Sequence, residues 1–111
     1  VRDLLPLVAA AADADLAAYQ QTVLKALEET ENALVTHARA RDRLAQLTAA
    51  ARESDTAAQI ARARYEGGLV GFLDVLDAER AQLSAQDQLA QSRTDAATSL
   101  IAVYKALGCG W

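Results

Sequence analysis

The sequence is poor in the residues that interrupt or crosslink a chain. It has one proline, five glycines, one cysteine and no methionine in 111 residues. One cysteine excludes an internal disulfide, and the few prolines and glycines leave two long stretches without a helix breaker. Eleven basic against fifteen acidic side chains give a net charge of −4, so the basic surplus typical of nucleic-acid-binding proteins is missing. No apolar run approaches the roughly 20 residues of a membrane-spanning helix, and no segment resembles a signal peptide.

Groups for catalysis and metal binding are equally scarce. His37 is the only histidine, and no cysteine or paired carboxylate lies at metal-ligand spacing from it. The sequence contains no metalloprotease, nucleophile-elbow or redox motif and no phosphate-binding glycine loop. We therefore expect a protein that is not an enzyme and has neither a cofactor nor a metal site. We expect His37 on a helix surface or in a helix seam.

Alanine dominates the residues that are present. The apolar fraction is 52%, and 27 of these residues are alanine. From Ala14 to Tyr65 the chain has neither glycine nor proline and is rich in strong helix formers. The pattern predicts helix 1 over 14–66, with a start between 4 and 14, after a poorly assigned lead-in over 1–13 that contains Pro6. The large apolar residues, spaced for one helical face, are Leu16, Val23, Leu27, Leu34, Leu44 and Leu47.

A glycine-rich turn over 67–71 is the strongest internal interruption. Gly67, Gly68 and Gly71 follow helix 1 and predict a helix C-cap and a turn. Helix 2 is predicted over 72–107, and 108–111 form a C-terminal tail. The fold class is therefore all-α, a long antiparallel helical hairpin of the coiled-coil type. The heptad positions around helix 2 are Leu69, Leu76, Leu83, Ala90, Ala97 and Tyr104.

The predicted lengths argue against a compact monomer. Helix 1 would span roughly 78 Å and helix 2 roughly 55 Å, whereas a compact domain of this size is roughly 35 Å across. Two helices also bury too little apolar surface to offset the ordering entropy of the chain. We expect further copies, or further parts of a longer chain, to cover the alanine-rich faces. The glycines are compatible with a hairpin or with a longer helix that swaps with a neighbour.

Charged side chains cluster at two places. Asp74 and Asp77 share a face at the start of helix 2. They either complement the helix dipole, with Asp77 paired to Arg80, or form an anionic ring at a pore mouth when copies assemble. Charges along helix 1 have the pattern of a solvated face, with staggered pairing to a neighbouring helix as the alternative. Those residues are Glu28, Glu29, Glu31, Arg39, Arg41 and Arg43.

Three segments together resemble the TolC-like outer-membrane efflux factors. They are YQQTVLKALEETENAL over 19–34, RYEGGLV over 64–70 with DVLDAER over 74–80, and LIAVYKALGCGW over 100–111. They stand in the family's order and cover nearly the whole chain from about residue 14. Within that family the resemblance is to the OprM- and NodT-like lipoproteins of resistance-nodulation-division pumps. Cys109 stands where the family has a glycine.

The resemblance implies a fragment of a TolC-like α-barrel, trimeric in the full-length family, on the periplasmic side of the cell outer membrane. Its expected function is that of the periplasmic helical hairpin of an efflux channel, a passive export duct working with a periplasmic adaptor protein and an inner-membrane efflux pump. No nucleic acid is involved, and membrane contact would be made only through parts missing from this chain, which is an excised segment or a truncated product. The alternative is a soluble coiled-coil interaction or scaffold module without transport activity.

The resemblance also implies roles for residues around the turn, which would be the periplasmic tip. Asp74 and Asp77 match positions just inside the tip that narrow the channel aperture and bind cations. Tyr65 would belong to the contacts that hold the entrance closed. The positions that match the tip motif, which meets the adaptor, are Arg64, Tyr65, Gly68 and Leu69.

Overall fold

The computed structural model describes residues 4–108, which form two α-helices. Helix α1 is Leu4–Glu66, with 63 residues, and helix α2 is Phe72–Gly108, with 37 residues. A short turn joins them, and α2 folds back along α1. This long antiparallel hairpin confirms the predicted fold class. Cys109 lies outside the described residues.

Helix α1 begins at Leu4, so residues 4–13 of the sequence-based lead-in belong to the helix. Pro6 is the third residue of α1. The first four backbone N–H groups of a helix have no partner within the helix, and a proline there removes no hydrogen bond. The proline therefore marks the beginning of α1 and does not interrupt it.

The two helices differ in length, and α1 extends beyond the end of α2. The contacts His37–Ser99 and Asp55–Gln82 set the register and place the end of α2 beside about residue 30 of α1. Residues 4–29, which we call the overhang, are all exposed and are about 39 Å long. The molecule measures 99 × 20 × 13 Å, with a radius of gyration of 27.1 Å, about twice that of a compact domain of this length.

A thin seam of small side chains joins the two helices. Ala51 and Ala58 of α1 are seven residues apart, as are Ser92 and Ser99 of α2, and all four are buried. This period is that of a coiled coil, so residues separated by multiples of seven keep the same face of the hairpin. Small side chains let the helices approach closely, but they bury little apolar surface. The larger buried side chains of the seam are Val75 and Val103.

Polar contacts cross the seam at the open end of the hairpin. The Ser99 hydroxyl donates to Ala96 O at 2.8 Å, and His37 Nδ1 lies 2.9 Å from Ser99 Oγ. When the single hydroxyl hydrogen of Ser99 is donated to Ala96 O, the tautomer of His37 that completes the contact carries its hydrogen on Nδ1 and donates to Ser99. By contrast, the buried Ser92 Oγ has no hydrogen-bond partner among the described residues.

The seam does not use the heptad row predicted around helix 2. Leu69, Leu83 and Tyr104 are 78%, 65% and 66% exposed. Helix α1 packs instead against the side of α2 that carries the small serines, where close approach is sterically easiest. Apart from Leu76, which is half-buried, the apolar row is left on a side of α2 that this hairpin does not cover. Within residues 4–108, neither helix has a stretch apolar enough to cross a membrane.

Candidate functional site

The turn that joins the helices depends on one glycine. Gly68 has a φ of +76°, in the left-handed region that side chains rarely adopt. Its N–H donates to Tyr65 O at 3.0 Å, and the N–H of Leu69 donates to Arg64 O at 2.8 Å. These two bonds form a Schellman motif, which satisfies the last carbonyl groups of α1. The motif ends α1 and reverses the chain within a few residues.

The other two glycines of the turn are less constrained. A Cβ built on Gly67 would lie 3.5 Å from Ala63 O, an ordinary contact, and one built on Gly71 would meet nothing within 4 Å. Gly71 precedes α2 and its carbonyl accepts from the N–H of Asp74 at 3.2 Å. Among these glycines, only Gly68 has a backbone conformation that requires the residue.

Aromatic packing braces the turn from the outside. The rings of Tyr65 and Phe72 have centroids 5.5 Å apart and planes inclined by 59°, a geometry that aromatic pairs favour. Tyr65 is the second-last residue of α1 and Phe72 is the first of α2. The contact therefore links the end of one helix to the start of the next, and the role of Phe72 in it was not predicted from the sequence.

A shallow apolar groove lies beside the turn. Arg64 and Asp74 bring opposite charges to its wall from different helices. The residues that line it are Ala57, Ile60, Ala61, Arg64, Val70 and Asp74. We call the side of the hairpin that carries this groove the groove face.

Cross-helix polar contacts lie on the opposite side, which we call the bridge face. Arg62 Nη2 lies 2.9 Å from Glu79 Oε1, and Arg62 Nε donates to the same oxygen at 3.0 Å. Seven residues further along α2, Gln86 Nε2 donates weakly to Asp55 Oδ1 at 3.4 Å. Arg62 and Asp55 are seven residues apart, so they share a phase of the seven-residue period. The two faces therefore differ, with an open groove on one and interhelical bridges on the other.

Of the two candidate aperture carboxylates, Asp74 lines the groove, and Asp77 lies three residues further along the same side of α2. Asp74 is in the first turn of the helix, where a negative charge complements the helix dipole. Asp77 follows one turn later, and both side chains are exposed. Within residues 4–108 the ion pair is Arg62–Glu79, so Asp77 does not pair with Arg80. No group of side chains in this described range is arranged to hold a metal ion.

All six candidate residues named from the sequence lie at the turn end of the hairpin. Arg64 borders the groove, Tyr65 packs on Phe72, and Leu69 projects from the turn. The Arg62–Glu79 bridge was not among the contacts predicted from the sequence. Its signal was present, because the two residues are at comparable distances from the turn and carry opposite charges. Their contact depends on the supercoil of the pair, which spacing alone does not give.

Several known proteins are similar to this chain over most of its length. Residues 2–109 match the family described as "Outer membrane efflux protein". The outer membrane protein OprJ of Pseudomonas aeruginosa is 34% identical over 107 residues, which cover 96% of this chain and 22% of OprJ. The pyoverdine export outer membrane protein OpmQ of Pseudomonas putida is 38% identical over 97 residues, which cover 86% of this chain and 20% of OpmQ.

A solved structure agrees with these relatives. The hairpin is similar to part of the outer-membrane channel OprN, with a TM-score of 0.75 and 45% sequence identity. The match covers 89% of this chain and 22% of the OprN chain. The chain thus spans about a fifth of the length of the relatives it matches. With a family match over nearly its whole length and this shared fold, the chain belongs to the outer membrane efflux protein family.

Proposed function

We propose that this hairpin is the periplasmic helical part of an outer-membrane efflux channel. In the whole protein, three copies form a tube, and the tube works with a periplasmic adaptor protein and an inner-membrane efflux pump. The channel is a passive export duct in which no bond is made or broken. The supporting observation, beside the family match, is a 99 Å rod whose helices leave apolar residues exposed on the sides that face away from each other.

The exposed surface supports a place in a wall. Its total accessible area is 8820 Å², whereas a compact protein of this mass exposes about 5,900 Å². On α2 the uncovered residues include Leu83 and Ile101, and on α1 they include Leu24 and Leu34. A helix in a tubular wall has a neighbour on each side, so these rows would be covered in the assembly.

The closed end of the hairpin is the proposed periplasmic tip. Leu69 is 78% exposed, and the Schellman turn at Gly68 holds it at the end of the rod. Arg64 and Tyr65 lie directly before the turn. A fixed apolar projection flanked by a cation and an aromatic ring suits contact with the helical hairpin of an adaptor.

Asp74 and Asp77 are the proposed aperture residues. Both are exposed. Asp74 lines the groove and Asp77 follows three residues later on the same side of α2, and this side faces the lumen in this proposal. Three copies then place six carboxylates around a narrow mouth, and such a cluster concentrates cations. Opening is a change in the populations of closed and open arrangements of the tips, driven by adaptor contacts.

Replacing both carboxylates tests this assignment. In the full-length channel that carries this segment, Asp74→Ala with Asp77→Ala should raise the Mg²⁺ concentration that halves channel current about tenfold, because the focused negative potential is removed. Asp87→Ala, which removes an exposed carboxylate from another side of α2, should leave the block unchanged. Single-channel recording in planar bilayers measures the half-blocking Mg²⁺ concentration of each variant. An unaltered block in the double variant would refute the aperture assignment.

A further inference from the structure

Two arginines share the groove face with the aperture carboxylates, but they lie far from the turn. Arg43 precedes Arg64 by 21 residues, and Arg39 precedes Ile60 by 21 residues. Both intervals are three seven-residue periods, and Arg64 and Ile60 line the groove together with Asp74. The seam keeps this period along the hairpin, so Arg39 and Arg43 lie on the groove face too.

The arginine between them lies on the other side of the hairpin. Arg41 precedes Arg62 by 21 residues and Asp55 by 14, and those two residues make the contacts of the bridge face. Asp42 lies midway between Ala40 and Leu44, which are half-buried on the side toward α2. It is exposed and points away from α2. One short segment of α1 thus presents matched arginines to opposite faces.

Few acidic groups face the pair. Arg39 and Arg43 are exposed and belong to no ion pair within the described residues. Asp95, three periods after Asp74, is the carboxylate across the seam at the level of Arg43. Asp42 is the neighbour of Arg39 one turn along α1, but it forms an ion pair with neither arginine in the described residues. The nearest carboxylates of α1 in the same phase as the arginines are Glu29 and Glu53, each ten residues and about 15 Å from one of them. That distance exceeds the Debye length of about 8 Å at physiological ionic strength.

We propose that Arg39 and Arg43 form a basic ring on the inner wall of the duct, which binds the anionic groups of passing solutes. The proposal rests on the proposed function, because it needs three copies around one axis with the groove face inward. Each copy then brings two arginines and Asp95 to the same height, a net charge of +3 for the ring. The ring lies about 35 Å from the turn, above an aperture of the opposite sign.

The ligand chemistry follows from the guanidinium group. Its planar donors fit carboxylate, sulfate and phosphate groups in two-point contacts. A narrow passage with low-dielectric walls strengthens the field of such a ring. A solute that carries both a positive and a negative group would meet the acidic aperture first and the basic ring next. The duct would therefore have one binding site for cationic groups and a separate one for anionic groups.

Block of channel current by an anion tests the ring. The probe is inorganic triphosphate, added to the full-length channel that carries this segment, in planar bilayers. Arg39→Ala with Arg43→Ala should raise the half-blocking concentration about tenfold, because the ring loses its positive potential. Arg43→Lys should keep most of the block, since it keeps the charge. Arg41→Ala is the control. It removes one positive charge from the bridge face, two residues from Arg43, and should leave the block at the wild-type value.

The outcomes separate this inference from the function on which it rests. Equal effects of Arg41→Ala and Arg43→Ala, or no effect of the double variant, would overturn the basic ring. If the Arg39→Ala, Arg43→Ala double variant still conducts, and if its Mg²⁺ block still depends on Asp74 and Asp77, then the proposed duct and aperture remain supported although the ring is refuted. A loss of triphosphate block confined to the groove-face variants supports it.

Discussion

The two ends of α1 are both helical, but they differ in their tertiary contacts and in their exposure to solvent. At the closed end, residues 57–79 combine the Schellman turn, an aromatic contact and a cross-helix ion pair. At the open end, the overhang over residues 4–29 is helical and exposed throughout. Its apolar side chains include Leu16, Val23 and Leu24. Helical propensity therefore builds the rod, whereas tertiary contacts exist only where α2 lies beside it.

The difference shows what this hairpin needs from neighbours. The overhang carries large apolar residues that α2 does not reach. The seam between the two helices is formed mainly by small residues such as Ala51 and Ser92. An isolated helix in water is only marginally stable, and most helical stability in proteins comes from packing. The overhang is thus the part that depends most on the rest of an assembly, and the closed end is the part that depends on it least.

Breaking the turn should have the largest effect on the closed end. Gly68→Pro imposes a φ near −65° where the backbone has +76° and removes the N–H that bonds to Tyr65, so it should destabilise the hairpin by about 3 kcal/mol. Gly67→Ala is the control. It meets no steric conflict and should stabilise by about 0.5–1 kcal/mol through the unfolded state. Thermal unfolding followed by circular dichroism measures both, and a loss in Gly67→Ala similar to that in Gly68→Pro would contradict the assignment.

Truncating one apolar side chain at each end should sharpen the contrast. Val75→Ala removes buried methyl groups from the seam, where Val75 is 4% exposed, and should cost about 1–2 kcal/mol. Leu24→Ala removes a larger group from the overhang, but its effect should stay within about 0.5 kcal/mol. Chemical denaturation of the two variants gives the comparison. A greater loss in Leu24→Ala would mean that the overhang already has a partner in solution.

The smallest expected effect concerns the two seam serines. Ser92→Ala removes a buried hydroxyl without a partner among the described residues and should stabilise the hairpin by about 1 kcal/mol. Ser99→Ala leaves His37 without its acceptor and should destabilise by about 1 kcal/mol. Melting temperatures measured in parallel test the pair, and the expectation fails if both changes shift the temperature in the same direction.

The sequence was sufficient for the helices and the turn because their signals are local. Stretches without glycine or proline predicted two rods, and Gly67–Gly68 predicted the reversal. The start of α1 was less certain, since Pro6 is compatible with a first turn and with a lead-in. The side of α2 that forms the seam was not predicted, because the apolar row with Leu83 and Tyr104 suggests a better interface than the serines that α1 contacts.

The candidate site follows a similar division. The positions of Arg64, Tyr65 and Gly68 at the closed end follow from their place beside the turn, which the sequence reveals. The division of the charged residues between a groove face and a bridge face does not, because it depends on how the two helices supercoil. Spacing alone grouped Arg39, Arg41 and Arg43 as one solvated cluster, and the structure separates Arg41 from the other two.

The turn bonds, the aromatic contact and the ion pair of the closed end all lie within the interval 57–79, which makes this part of the chain a candidate for transfer to another coiled coil. The turn is held by its own main-chain hydrogen bonds and by one flanking ion pair, and all of these contacts are local in sequence. Grafted onto another antiparallel coiled coil in the same heptad phase, the interval would carry its reversal and its exposed leucine with it.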